Sequence, residues 1–123
     1  MGSSVKILIV DDNEAVRGLI KRLVLPYGAQ VCECADGSEA PAVFEEQSPD
    51  LVLMDIRMKN VDGITATRRI RSAHPEARIV MVTDFDDDAL RDAARRAGAS
   101  GYLLKDNLLD LFRLFEPANR NHK

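Results

Sequence analysis

The sequence predicts a doubly wound α/β fold, a five-stranded parallel sheet with helices on both faces. Three observations predict it. Short apolar runs alternate five times with stretches of helical spacing, as strands joined by crossover helices do. The runs Ile7-Leu8-Ile9-Val10, Leu51-Val52-Leu53-Met54 and Ile79-Val80-Met81-Val82 are unbroken rather than alternating, which places each strand between two layers. Each of these runs ends in polar groups, Asp11-Asp12, Asp55 and Thr83, at the strand ends where open α/β sheets bind ligands.

Taken in order, the first strand covers Val5 to Val10. Val16, Leu19, Ile20, Leu23 and Val24 form an apolar stripe at helical spacing, ended by Pro26. Val31 to Ala35 is a short second strand, and Asp36-Gly37 turns into a helix capped by Ser38, with Pro41 tolerated in its first turn. The third strand, Asp50 to Asp55, leads through the loop Met58-Lys59-Asn60-Val61-Asp62-Gly63 to a helix over Ile64 to Ser72. His74-Pro75 separates that helix from the fourth strand. Ala89, Leu90, Ala93, Ala94 and Ala97 stripe the fourth helix, and Gly98 stops it. The fifth strand, Gly101 to Lys105, delivers an ammonium to the same sheet edge, and Leu108, Leu111, Phe112 and Phe115 stripe a last helix that ends before Pro117.

With 123 residues the chain is one domain, long enough to bury a core without metal or disulfide support. Residues 5–116 form the domain; residues 1–4 read as a disordered N-terminus or an expression remnant, and residues 117–123 as a frayed tail or the start of a linker. A net charge of −3 gives no bulk attraction for nucleic acid, and no apolar stretch is long enough to cross a bilayer. Arg68, Arg69, Arg71, Arg91, Arg95 and Arg96 interleave with core stripes, so they read as solvated helix faces. Cys32 and Cys34 point to the same face of one strand, poor geometry for a mutual disulfide, and only His74 and His122 are available as further soft ligands. Both thiols read as small hydrophobes in a reducing compartment, which makes the cytoplasm the expected location.

Three carboxylates, a hydroxyl and an ammonium therefore converge on one edge. Crowded carboxylates raise one another's pKa unless a cation intervenes, and Mg²⁺ takes oxygen ligands with only one or two carboxylates. A metal and fixed cations facing phosphoryl oxygens are what phosphoryl transfer asks of a protein. A carboxylate can itself be the nucleophile, and Asp55, single and central in the sheet, is the best placed.

Over about Val5 to Phe115 the chain resembles the receiver domain of two-component response regulators. The matching residues are Val10-Asp11-Asp12, Met54-Asp55-Ile56-Arg57-Met58, Asp62-Gly63, Thr83 and Gly101-Tyr102-Leu103-Leu104-Lys105. The wording of Met54–Met58, of Thr67-Arg68-Arg69-Ile70-Arg71 and of Ala97 to Asp106 is most similar to LuxR-type transcription regulators. The resemblance implies a flavodoxin-like sheet of strand order 2-1-3-4-5 with five helices. It implies that Asp55 accepts a phosphoryl group from a phosphohistidine on a sensor histidine kinase or phosphotransfer protein. Asp12, Asp55 and the Arg57 backbone carbonyl would ligate Mg²⁺ (or Mn²⁺), with Asp11 acting through bound water. Thr83 and Lys105 would hold the phosphoryl oxygens, and Tyr102 would be the switch aromatic. A homodimer on phosphorylation, and DNA contact only through an output domain absent from this chain, are implied in the same way; so is a partner face on the fourth helix, fifth strand and fifth helix, or on the first and fifth helices. Leu109, Leu114 and Phe115 are more apolar than a free surface needs.

Two residues depart from the family pattern. Lys59 stands where proline is usual, a loss of stiffness without loss of chemistry. Asp84 stands where a small residue is usual: it either points to solvent at the start of the acidic run Asp86-Asp87-Asp88, or adds a carboxylate beside the pocket that disfavours an incoming phosphate. Two other functions stay open: a receiver-like interaction module that works without phosphorylation, and a haloacid-dehalogenase-like phosphohydrolase. The latter needs a second acid two residues after the nucleophile, where this chain has Arg57. Asp11-Asp12 read locally as the N-cap pair of the first helix, a role compatible with metal binding.

Overall fold

The computed structural model describes residues 5–114. Met1–Ser4, Phe115, Pro117 and the tail Asn119–Lys123 lie outside the described residues. Five strands, β1 (Lys6–Val10), β2 (Gln30–Cys34), β3 (Leu51–Met54), β4 (Ile79–Thr83) and β5 (Gly101–Leu104), form one parallel sheet of order β2-β1-β3-β4-β5. The crossovers carry α1 (Glu14–Val24), α2 (Ala40–Gln47), α3 (Gly63–Ala73) and α4 (Asp88–Ala97). The fifth helical position is a 3₁₀ segment, Lys105–Leu114, with a break in helical backbone at Asn107.

Alternation along the strands divides the core in two. Leu8, Val10, Val52, Met54, Ile79 and Met81 face α2, α3 and α4 through Phe44, Ala66, Ile70 and Ala94. Ile7, Ile9, Leu51, Leu53, Val80 and Val82 face the other layer, where Ile20 and Val24 of α1 and Leu111 of the 3₁₀ segment close over them. The central strands are buried at every position, as their unbroken apolar runs require. Cys32 and Cys34 are free thiols, and burial pushes Cys34 up to about 12, leaving no thiolate at neutral pH.

Local caps differ from the sequence reading at two places. Ser38 does not cap α2. That helix starts at Ala40 with Glu39 as its cap and no side-chain cap bond, while Ser38 turns both its amide, at 2.8 Å, and its hydroxyl to the Asp36 carboxylate. At α1 the cap is Asn13, whose side chain accepts from the Val16 amide at 3.1 Å; Asp11 is not the cap but accepts the Asn13 amide at 2.8 Å. The last element departs from the α-helix its stripe suggested: Leu108 and Leu111 are three apart, a spacing that 3₁₀ turns align on one face.

The arginines settle locally. Arg71 reaches the Pro75 and Ala77 carbonyls, Arg91 pairs with Asp86, and Arg95 and Arg96 share Asp92.

Candidate functional site

Strand register assembles the site. Val10 pairs with Met54, so the next residues along, Asp11 and Asp55, leave the sheet side by side, and the Asp55 amide donates to the Val10 carbonyl at 2.8 Å. Thr83 pairs with Leu104, which sets Lys105 one step beyond β5 on the same edge. Carboxylate oxygens of Asp11, Asp12 and Asp55 all lie within 4.8 Å of one another. Asp11 and Asp55 are buried, whereas Asp12 is exposed and keeps the cluster open to solvent.

Lys105 neutralises much of this charge. Its ammonium lies 2.9 Å from Asp11 and 3.4 Å from Asp55. Burial opposes the charged ammonium, but Asp11, Asp55 and Asp84 outweigh it and hold Lys105 above its ordinary range. Asp55 moves the other way from a typical ion-paired acid. Burial first, and the Asp11 charge second, push its carboxyl up to about 6 despite Lys105 and a 2.9 Å bond from the Ile56 amide. A buried carboxylate kept from ionising freely by its neighbours is a cation-seeking group. Every donor here is a hard oxygen and one side is open, so the set suits Mg²⁺ or Mn²⁺.

The remaining expected residues surround this centre. Thr83 is fully buried and its hydroxyl accepts from the Phe85 amide at 3.2 Å. Tyr102, half-buried at the sheet edge, donates its hydroxyl to the Phe85 carbonyl at 2.7 Å and carries the Arg91 guanidinium 4.3 Å over its ring. Arg57 turns its side chain outward over the Phe85 ring, 4.6 Å from the centroid. Asp84 is exposed, and its charge reaches Lys105. The acids after it are consumed elsewhere: Asp87 caps α4 and Asp86 pairs with Arg91.

Residues 7–114 match the response regulator receiver domain family. The chain is a response regulator receiver domain. The receiver is 44% identical over 108 residues to the transcriptional regulatory protein LnrK of Bacillus subtilis, covering 86% of this chain and 49% of that protein. It is 37% identical over 116 residues to the chemotaxis protein CheY of Bacillus subtilis, covering 94% and 95% of the two chains. Among solved structures, a two-component response regulator of the LuxR family from Aurantimonas sp. SI85-9A1 superposes with a TM-score of 0.85 at 38% identity, covering 90% of this chain and 81% of that one. The flavodoxin-like strand order expected from the resemblance is the order observed. The receiver spans about half the length of several curated relatives, LnrK included. No helix among the described residues is long and apolar enough to cross a membrane.

Sequence reasoning missed two residues that shape this receiver's pocket. Phe85 offers its amide, carbonyl and ring to Thr83, Tyr102 and Arg57 respectively. Its only signal was an aromatic set in an acidic run. The sequence marks Asp36 only as a turn residue, yet its carboxylate accepts from amides of the β3–α3 loop.

Proposed function

We propose that Asp55 is the phosphoacceptor in a Mg²⁺-dependent transfer from a phosphohistidine on a sensor histidine kinase or phosphotransfer protein. A carboxylate oxygen of Asp55 attacks phosphorus and the P–N bond breaks. The imidazole leaves with the bonding pair and takes up a proton, and an aspartyl phosphate remains. The observation that carries this reading is the Lys105 ammonium shared between Asp11 and Asp55, at 2.9 and 3.4 Å. It balances the pocket before transfer and can turn to the phosphoryl oxygens afterwards, joined by the Thr83 hydroxyl. Asp12, Asp55 and the Arg57 backbone carbonyl would hold Mg²⁺ or Mn²⁺, with Asp11 acting through water. The bound ion supplies positive charge against the phosphoryl oxygens.

The output follows from Phe85. Thr83 and Tyr102 both bond its peptide groups, so moving Thr83 toward a phosphoryl group displaces the backbone that Tyr102 holds. Phosphate then favours one arrangement only by the difference in its affinity for the two. We take the unit to be residues 5–116, cytoplasmic, catalysing only its own phosphorylation and dephosphorylation. Its LuxR-type relatives support a role in transcription, through a DNA-binding domain outside this chain and a homodimer formed on phosphorylation.

The test is intact-protein mass after incubation with acetyl phosphate or a phosphorylated kinase, with and without Mg²⁺. One Mg²⁺-dependent phosphoryl adduct on the wild type, absent from Asp55→Asn, is the expected result. No adduct from either donor would favour the phosphorylation-independent interaction module. Asp84 gives that second reading its one support, since its charge reaches Lys105. Relieving it should help: Asp84→Ala is expected to accelerate labelling by acetyl phosphate about fivefold, the equivalent of roughly 1 kcal/mol for a solvent-screened charge. An unchanged rate would remove Asp84 from the account.

A further inference from the structure

The β3–α3 loop carries Asp55 and Arg57 but has Lys59 where a stiffening proline would stand. It is held from outside instead. One oxygen of the Asp36 carboxylate accepts from the Asn60 amide at 2.8 Å. The other accepts from the amides of Ser38 at 2.8 Å and Val61 at 3.1 Å. Asp36 is 6% exposed, and no ion pair engages it among the described residues. The Asn60 amide first, then the Ser38 amide and hydroxyl, hold its carboxyl well below the usual carboxylate range. Beside it, a Cβ on Gly37 would stand 2.3 Å from the Val61 carbonyl oxygen, so the two loops touch backbone to backbone. At its neck the loop is closed by the Gly63 amide, which donates to the Ile56 carbonyl at 2.7 Å. The tip is fixed by Asp36, which is remote in sequence and takes no part in the transfer chemistry.

We propose that Asp36 is a positioning residue for phosphorylation: by anchoring Asn60 and Val61 it sets the loop so that the Arg57 carbonyl and Asp55 can share one divalent cation. The proposal rests on the reading of Asp12, Asp55 and Arg57 as the Mg²⁺ site. Loss of a group that orients metal ligands costs 10–100-fold in affinity, and Asp36 acts through a loop, so about tenfold is expected.

The experiment follows backbone amide shifts of ¹⁵N-labelled wild type and Asp36→Asn during titration with Mg²⁺ alone. The asparagine oxygen can serve one side of the site, while its NH₂ faces amide donors on the other. In the variant the Asn60 and Val61 amide protons should move upfield, sheet amides should stay in place, and the Mg²⁺ dissociation constant should rise about tenfold. Gly37→Ala keeps the carboxylate but forces the Val61 carbonyl away; it should weaken Mg²⁺ in the same direction, and it decides the matter if Asp36→Asn does not fold. A dissociation constant within about twofold of wild type, in a folded variant whose Asn60 and Val61 amides have moved, overturns the proposal and leaves Asp36 a structural tie. A wild type without a saturable Mg²⁺ shift overturns the metal site itself, a failure seen before any variant is made.

Discussion

Asp55→Asn is expected to be more stable than wild type at pH 7.5 when divalent cations are absent. The Asp55 carboxyl is pushed up to about 6, chiefly by burial and then by the Asp11 charge. An unfolded chain returns it to about 3.9. A raised carboxyl favours the folded state fully below its unfolded pKa, and that contribution is lost as pH rises through about 6. A shift of some two units corresponds to about 3 kcal/mol, and screening by water at the open sheet edge brings the expected gain nearer 2 kcal/mol. Asparagine carries no charge to desolvate, so the variant should lack this slope. Urea unfolding at a series of pH values measures it. The two proteins should converge near pH 4, part between about pH 4 and 6 in favour of the variant, keep that gap above pH 6, and converge again when saturating Mg²⁺ stabilises the wild type alone. Equal stability at pH 7.5 without divalent ions would mean that Lys105 already compensates the pocket in full.

Gly63→Ala should damage fold and site together. A Cβ there would lie 1.8 Å from the Asp55 carbonyl oxygen and 2.8 Å from Met54 Cγ. The first of these atoms is backbone at the end of a buried strand and cannot step aside cheaply. A loss of about 3 kcal/mol or more is expected, together with loss of the phosphoryl adduct, because the displaced peptide is that of Asp55 itself. Gly18→Ala is the matched control. It lies within α1, a Cβ there meets nothing within 4 Å, and alanine should stabilise that helix by about 1 kcal/mol. A Gly63→Ala protein with wild-type urea midpoint and normal labelling would show that α3 can slide away from β3, contrary to the close packing described.

How much of this was legible follows from the range of each interaction. The strands were legible because Leu51–Met54 and Ile79–Val82 are buried on both faces and must be apolar throughout. The ends of those strands showed Asp11, Asp12, Asp55, Thr83 and Lys105 as one group, since a parallel sheet delivers all its carboxyl ends to one edge. Caps were less legible: Asn13, Asp12 and Asp11 are all competent side chains within three positions, and only the backbone decides which of them bonds Val16. Asp36 was the least legible of all. Its partners Asn60 and Val61 stand 24 and 25 residues away, and no local periodicity records a carboxylate reaching between two loops. The winding of the last element turned on the same limit, because the Leu108–Leu111 pair within its stripe suits either helix.

Lys105 is both a pocket residue and the first residue of the 3₁₀ segment that packs on α1 and β5. Turns of that kind have poorer hydrogen-bond geometry than an α-helix, and Leu111 is the wholly buried side chain that seats this one among those described. Such a segment opens sub-globally at a smaller cost than the sheet it rests on. Each opening would draw the ammonium away and leave Asp11 and Asp55 confronting each other unshielded. The readiness of Asp55 to ionise is thereby tied to the local unfolding equilibrium of the segment that follows β5, and anything that grips that segment from outside would tune the acidity of that carboxyl without touching it.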